Sequence, residues 1–404
     1  MQICEKHRNV FLFILIFSYF FGFYSVVSML PLIISEKIVV SLFLLVLIYA
    51  SRYFANFIYS GFFLNLAKKI NVKVSLLLGI STLIVSFLII LNMRTIPAYV
   101  LAFALIGFAG GLSELKLINT AQKYGSNGVS TYYSGFFFGL FLSILLSGFV
   151  LHYFSLQYLI ILSISFFIVS FLSAIFIDTE KNDISMRFII TSNILLDDIY
   201  AFRNLKDKMF YIFFVKMVCE GFNSMKDLFI PIIITTVLLK TKMEVSIVLA
   251  VILIPAILVQ NYLGKIIQAI PPVFFLGGHK RRVMSISLLM LFLCCLVIPF
   301  TSNIYFLLLI LLVGVFSYSL LTPTLNLILV EHYTEEIAEE SSLLQISSSL
   351  GKLLLTMVSV GIIYFLKDVR LVFLFPCILF FLLLIYLFID TVREGKIEKI
   401  RFIR

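Results

Sequence analysis

Lys216-Met217-Val218-Cys219-Glu220-Gly221-Phe222-Asn223-Ser224-Met225-Lys226-Asp227 sets charges into the middle of a segment otherwise apolar enough to cross a bilayer. At about 100° per residue, Lys216, Glu220, Asn223 and Asp227 share a narrow sector of one helix face, with Lys226 off to the side. A charged side chain at the centre of a membrane helix costs about 2.5 to 3.5 kcal/mol on insertion scales, so it normally faces a partner or a water-filled cavity. Two readings follow. Either Lys216 and Glu220, spaced i and i+4, neutralise each other and pin helices together, or the stripe lines a solute pathway, which is the default for intramembrane charge.

The surrounding composition leaves one solvent for this chain. Of 404 residues, 62% are hydrophobic and 13% charged, with 44 Phe, and the mean hydropathy is +1.13. No water-soluble globular protein of this size shows such values. Apolar runs of about 20 residues recur from end to end, each long enough for a hydrocarbon core of about 30 Å, whereas the roughly 10-residue alternation of a membrane barrel is absent. The expected fold is all-α and polytopic, with about twelve spans near 10-34, 38-63, 74-92, 97-120, 130-153, 156-178, 209-237, 243-266, 283-301, 303-328, 342-366 and 369-390. The first run is too long for the apolar region of a cleavable signal and lacks a small-residue cleavage site, so it reads as the first span.

The net charge of +10 reports topology rather than nucleic-acid binding, because the basic residues are spread over inter-span segments. With a cytoplasmic N-terminus, inside segments hold most of them, including Lys68, Lys69, Lys73, Arg203, Lys206, Lys280, Arg281, Arg282 and the 393-404 tail. Outside loops hold Lys37, Arg94, Lys240, Lys242, Lys367 and Arg370. This asymmetry predicts both termini in the cytoplasm. The polar segment 179-208 reads as a cytoplasmic linker between an N-terminal six-helix bundle, 1-178, and a C-terminal one, 209-392, followed by the basic tail 393-404. Spans five and eleven carry a faint internal repeat. Ser126 to Gly135 leads to Gly139 and then Gly148, and Ala338 to Ser347 leads to Gly351 and then Gly361, as a duplicated six-span half requires. Small residues at these places also let helices pack closely.

Four further charges lie within spans: Arg52, beside Asn56 in span two, Glu114 and Lys116 in span four, and Lys352 in span eleven. Lys352 shares a helical face with Gln345, Ser348, Thr356 and Ser359, a second polar stripe. Glu114 and Lys116 read equally well as pathway or as a lock between helices. The intramembrane cations Arg52, Lys116, Lys216, Lys226 and Lys352 outnumber the anions Glu114, Glu220 and Asp227. A surplus positive cavity predicts an anionic small-molecule substrate, an argument that weakens if Lys226 snorkels toward lipid headgroups. Glu220 or Asp227 is a candidate proton-coupling carboxylate, since burial raises a carboxyl pKa and a neighbouring Lys lowers it.

No catalytic constellation is visible, so no enzyme is expected, and neither cofactor nor metal. His7, His152, His279 and His332 sit at span ends or in loops, and the five cysteines have no metal-ligand spacing. Gly277-Gly278-His279-Lys280-Arg281-Arg282 lacks the strand-turn-helix context of a phosphate loop and reads as a topology-setting basic loop.

Twelve spans, cytoplasmic termini, a central loop and a repeat between halves resemble the major facilitator superfamily. Its basic loop between spans two and three is loosely matched by Leu66-Ala67-Lys68-Lys69-Ile70-Asn71-Val72-Lys73, but Lys68 stands where that motif usually has Asp and Asn71 where it has Gly. The motif's gating salt bridge therefore does not carry over, and Ile144 stands near the place of the antiporter signature's Pro. Within the superfamily, four stretches resemble the acetyl-coenzyme A transporters of eukaryotic endomembranes: Ser51-Arg52 with Ala55-Asn56; Leu249 to Pro255 with Gly264-Lys265 and Pro272; Leu343 to Gly351; and Gly221-Phe222-Asn223 with Asp227. The tryptophans of that family are missing, since the chain has none.

The resemblance implies alternating access around a site near the bilayer midplane, lined by spans one, four, seven and ten, in an endoplasmic-reticulum or other endomembrane. It also implies import of acetyl-coenzyme A, a polyanion that suits a positive cavity. The expected partners are that small anion and the lipid bilayer, with the chain a monomer. Rival readings are proton-coupled transport of another organic solute, and a receptor or scaffold that keeps the fold without a pathway, which the eroded loop motif favours.

Overall fold

Inside hydrocarbon every backbone N–H and C=O must be satisfied within the protein, and a continuous apolar run meets that requirement by coiling into a helix. The structure, a computed structural model, describes residues 5–37, 42–62, 71–93, 95–123, 125–176, 207–259, 279–332 and 337–403, and among them every regular element is helical. The principal helices are α1 (Glu5–Val27), α2 (Leu30–Lys37), α3 (Leu42–Phe62), α4 (Val72–Asn92), α5 (Ile96–Lys123), α6 (Gly125–Tyr153), α7 (Leu156–Ile175), α8 (Asp207–Ile232), α9 (Lys242–Val251), α10 (His279–Val297), α11 (Ile304–His332), α12 (Ile337–Leu366) and α13 (Leu374–Ile403). Among the described residues, 11 helical stretches are long and apolar enough to cross a membrane. The first of them, Asn9–Leu32, runs through α1 into α2 across a turn at Ser28 and Met29. The twelfth long helix is α8, with 26 residues, about 39 Å at about 1.5 Å per residue. Its apolar run is interrupted by the charged stripe. The protein is thus an all-helical, multi-pass membrane protein.

By compactness the chain divides into two units, Met1–Lys206 with Ile230–Ala250, and Asp207–Phe229 with Val251–Arg404. The first unit takes in a segment that the sequence division at 179-208 assigns to the C-terminal bundle. There Ser246 Oγ donates to the Ile144 carbonyl at 2.8 Å, and Ser246 fills the space a side chain at Gly148 would need. The linker itself, the motif residues 66-70 and Gly277-Gly278 lie outside the described residues.

Within the first unit α1 packs on α6 and α7, and α5 packs on α3 and α4. Serines hold these contacts. Ser25 and Ser163 hydroxyls lie 2.5 Å apart, Ser170 Oγ donates to the Leu15 carbonyl at 3.2 Å and Ser75 Oγ to that of Leu112 at 2.9 Å, the small-residue packing that replaces the hydrophobic effect between membrane helices. The rest of this core is aromatic. Phe20 meets Phe136 edge-on with centroids 4.5 Å apart, and Phe21 meets Phe166 at 4.0 Å.

In the second unit α10 packs on α11 and α13, and α8 packs on α12. A Cβ on Gly351 would collide with the Met217 carbonyl, and one on Gly221 would run into Leu355. Ser347 Oγ donates to the Phe213 carbonyl at 2.6 Å beside this contact. The same device joins α6 to α1, where a Cβ on Gly139 would come within 2.8 Å of the Phe17 carbonyl. Gly139 and Gly351 are the two residues that the sequence repeat aligns, and they do the same work. Gly148 and Gly361 do not correspond, for Gly361 has nothing within 4 Å of its missing side chain.

Near its end α8 contains Pro231, which lacks a backbone N–H and collides with the carbonyl four residues back. The helix widens into a π turn, Ile233–Val237. Thr235 Oγ1 bonds the Pro231 carbonyl at 3.0 Å and Thr236 Oγ1 that of Ile232 at 2.7 Å, so hydroxyls satisfy carbonyls that the irregular turn would strand.

Candidate functional site

The fixed contact between Gly351 and Met217 sets the register of α8 against α12, and the charged residues flanking it meet as a consequence. Lys216 Nζ lies 2.7 Å from Glu220 Oε1, one turn along α8. Lys352 Nζ, next to Gly351 on α12, lies 3.2 Å from Glu220 Oε2, and the Tyr318 hydroxyl of α11 donates to Glu220 Oε1 at 2.8 Å. One carboxylate thus serves two ammonium groups and a phenol. The Lys216 and Glu220 side chains are 11% and 8% exposed, whereas that of Lys352 is 30% exposed and is the open face of the cluster. Three formal charges sum to +1 in a place where desolvation makes each strong and an unpaired one costly.

The i, i+4 pairing expected of Lys216 and Glu220 is present, but as part of a larger network that the sequence did not show. In the sequence nothing sets Tyr318 apart, since Val315-Phe316-Ser317-Tyr318-Ser319 carries no charge. Off to the side of the stripe, Lys226 is buried and pairs at 2.7 Å with Asp227, whose side chain is 47% exposed. Asp227 therefore belongs to a separate pair and not to the Glu220 cluster, while Asn223 is half-buried. On α12, Gln345, Ser348 and Lys352 are half-buried. The expected continuation of that wall is filled by protein: Thr356 is fully buried, 3.4 Å from the Ser224 hydroxyl, and Ser359 turns its hydroxyl to the Leu355 carbonyl of its own helix.

The remaining candidates are in the first unit. Glu114 Oε1 and Asn56 Nδ2 both flank Gly110, at 3.4 and 3.7 Å from where its Cβ would stand. Lys116 is buried on α5. Arg52 is half-buried, its guanidinium 4.8 Å from the centroid of the Phe23 ring and 5.5 Å from that of Tyr53. Such cation–π contacts contribute about 0.5 to 2 kcal/mol, less than the insertion cost of about 2.5 to 3.5 kcal/mol. Among the described residues, no group of three His, Cys, Asp or Glu is placed to hold a metal ion.

A long-helix membrane fold with a buried charge cluster defines the class, and comparison with known proteins shows what the chain is similar to. Residues 212–402 match the family model of the Major Facilitator Superfamily. No curated protein matches the sequence. Among solved structures, a mutant of the nucleoside transporter NupG superimposes with a TM-score of 0.74 at 14% identity, covering 94% of this chain and 98% of its own. The human organic anion transporter MFSD10 (TETRAN) does so at 0.69 and 16% identity, covering 96% and 100%. At such identities the likeness is one of fold along almost the whole chain, and the substrates in those names belong to those proteins.

Proposed function

We propose that this protein is a secondary transporter of an organic anion working by alternating access, with acetyl-coenzyme A the first candidate substrate. The observation that carries the reading is the Glu220 cluster, in which two buried or half-buried lysines share one carboxylate. Lys352 is the more exposed of the two lysines, and an arriving phosphate or carboxylate gains a charge-assisted bond there. Glu220 meanwhile keeps Lys216 and Lys352 from repelling each other when the solute is absent. The resemblance of Ser51-Arg52, Gly221-Phe222-Asn223 and Leu343 to Gly351 to acetyl-coenzyme A transporters supports the candidate, as does the polyanionic character of that molecule.

The test is uptake of radiolabelled acetyl-coenzyme A by vesicles containing the purified protein and preloaded with unlabelled compound. Uptake above protein-free vesicles, reduced about ten- to a hundredfold by Lys352→Ala as one phosphate contact is lost, is the expected result. Uptake of neutral solutes only, or of acetyl-coenzyme A with no effect of Lys352→Ala, would overturn the reading.

A further inference from the structure

Arg52 presents a different problem from the lysines of the second unit. A guanidinium carries five N–H donors in a rigid fork. Among the described residues that of Arg52 has ring faces as its neighbours, Phe23 and Tyr53, and neither an ion pair nor a hydrogen bond. Glu114 acts on it electrostatically, together with Tyr24, Tyr49 and Tyr53, but does not reach it as a salt-bridge partner. Ring faces answer the charge and leave the fork of donors open to an incoming acceptor.

The backbone beneath this side chain is held firmly. A Cβ on Gly107 of α5 would collide with the Arg52 carbonyl, so the two helices touch backbone to backbone at this residue. Ser51 Oγ donates to the Val100 carbonyl at 3.2 Å on the same side, and Tyr49 packs edge-on against Phe103 with centroids 4.9 Å apart. A cation held in place, stacked on rings and lacking an acceptor is a preorganised receptor for a planar oxyanion. Its depth identifies the source. Arg52 lies midway along α3, ten residues from each end, about 15 Å at about 1.5 Å per residue, beyond the reach of a lipid headgroup phosphate.

We propose that Arg52, backed by Phe23 and Tyr53, is an oxyanion-binding site in the N-terminal unit that grips a carboxylate or phosphate group of a solute through the guanidinium fork. The proposal rests on the reading of the chain as an anion transporter and adds a second, independent contact to it. The surrounding rings favour a solute whose acid group is joined to a flat apolar body, so benzoate is the probe.

Purified protein is treated with phenylglyoxal, which modifies guanidinium groups, and labelling of Arg52 is followed by mass spectrometry of its peptide. Benzoate should slow the labelling of Arg52 in wild type and equally in Lys352→Ala, inorganic phosphate should do so more weakly, and neutral methyl benzoate should not. In thermal unfolding, benzoate should raise Tm in wild type. Arg52→Gln should weaken its apparent affinity about ten- to a hundredfold, and Arg52→Lys, which keeps the charge without the fork, about tenfold. Should Arg52→Gln not fold, Arg52→Lys supplies the comparison. Equal labelling with and without both anions, equal protection by methyl benzoate, or unchanged affinity in Arg52→Lys would overturn the proposal. Protection of Arg52 in a protein that fails the acetyl-coenzyme A test would sustain this site and remove that substrate. Loss of uptake in Lys352→Ala without any protection of Arg52 would do the reverse.

Discussion

In the N-terminal unit Gly139 of α6 approaches the carbonyl of Phe17, and in the C-terminal unit Gly351 of α12 approaches that of Met217. Three residues along the first helix from each contact stand Phe20 and Glu220, and one residue past each glycine stand Leu140 and Lys352. Phe20 is 2% exposed and is surrounded by rings, Tyr19 at 5.0 Å and Phe136 at 4.5 Å. Glu220 is surrounded by Lys216, Lys352 and Tyr318. The same backbone contact thus carries an aromatic core in one unit and an ionic one in the other. Close backbone packing fixes where side chains meet, and the residue types then decide whether the place is only cohesive or also able to bind.

The comparison breaks most visibly at Glu220. Glu220→Ala leaves two lysines without their shared counter-charge and should cost about 3 to 5 kcal/mol, read as a large fall in Tm in detergent. Replacing the network together, Lys216→Met, Glu220→Leu and Lys352→Met, should recover most of that stability, because an apolar core of similar volume avoids the desolvation cost, while anion uptake stays lost. If the triple variant is as unstable as Glu220→Ala, the ionic core is needed for folding in a way that the Phe20 core is not.

A smaller effect is expected for the exchange of Lys216 and Glu220. Exchanging the two charges preserves the pair but puts a lysine at position 220 beside Lys352. The double variant should therefore regain only part of the stability lost by either single change, with a coupling of about 0.5 to 3 kcal/mol. Adding Lys352→Glu should raise the recovery. Full recovery by the double exchange alone would show that Lys352 is not part of the network.

The architecture was legible in the sequence because a membrane span announces itself by length and hydropathy, and because Gly139 and Gly351, though not Gly148 and Gly361, stand at matching places. Lys216 with Glu220 was legible for the same kind of reason, since i and i+4 on one helix are neighbours by geometry. Partners on other helices were not. Tyr318 and Lys352 reach Glu220 only through the register of three helices, and Phe23 reaches Arg52 through that of two, which no periodicity within one span encodes. That protein covers Thr356 and Ser359 was not legible, because helix-face angles do not say which face is covered by protein.

Arg52 sharpens the contrast in the opposite direction. Among the described residues no carboxylate lies within ion-pair distance of Arg52, and Glu114 acts on it only at longer range, so Arg52→Leu removes a cation without breaking an ion pair. The lost cation–π contacts, about 0.5 to 2 kcal/mol, are offset by the relief of burying a charge, and the stability of the variant should stay within about 1 kcal/mol of wild type. Lys216→Leu, similar in volume, should cost more because Glu220 loses its 2.7 Å partner. Equal losses in the two variants would mean that Arg52 has a structural counter-ion after all.

The smallest effect is expected where the same chemistry lies at the junction of two candidate spans, Gln345–Leu366 and Val369–Asp390. Asp368, between α12 and the short turn Val369–Phe373, accepts from the Arg370 backbone N–H at 2.9 Å and from its guanidinium at 2.8 Å. Hydrogen bonds from the Arg370 side chain, against a smaller contribution from burial, hold its carboxyl below the usual carboxylate range. A depressed folded-state pKa contributes stability that is present above the unfolded value, near about 3.9 for Asp, and is lost as pH falls through the folded one. Because the side chain is 31% exposed, screening keeps this contribution under about 1 kcal/mol. Asp368→Asn retains the cap and removes the charge, so it should lower Tm by a degree or so at neutral pH, with the difference from wild type closing as pH drops below about 4. Unfolding of both proteins across that range measures it. A deficit in Asp368→Asn as large as that of Glu220→Ala would show that burial in the membrane is not what sets the Glu220 cluster apart, and with it would go the distinction between a structural ion pair and a binding one.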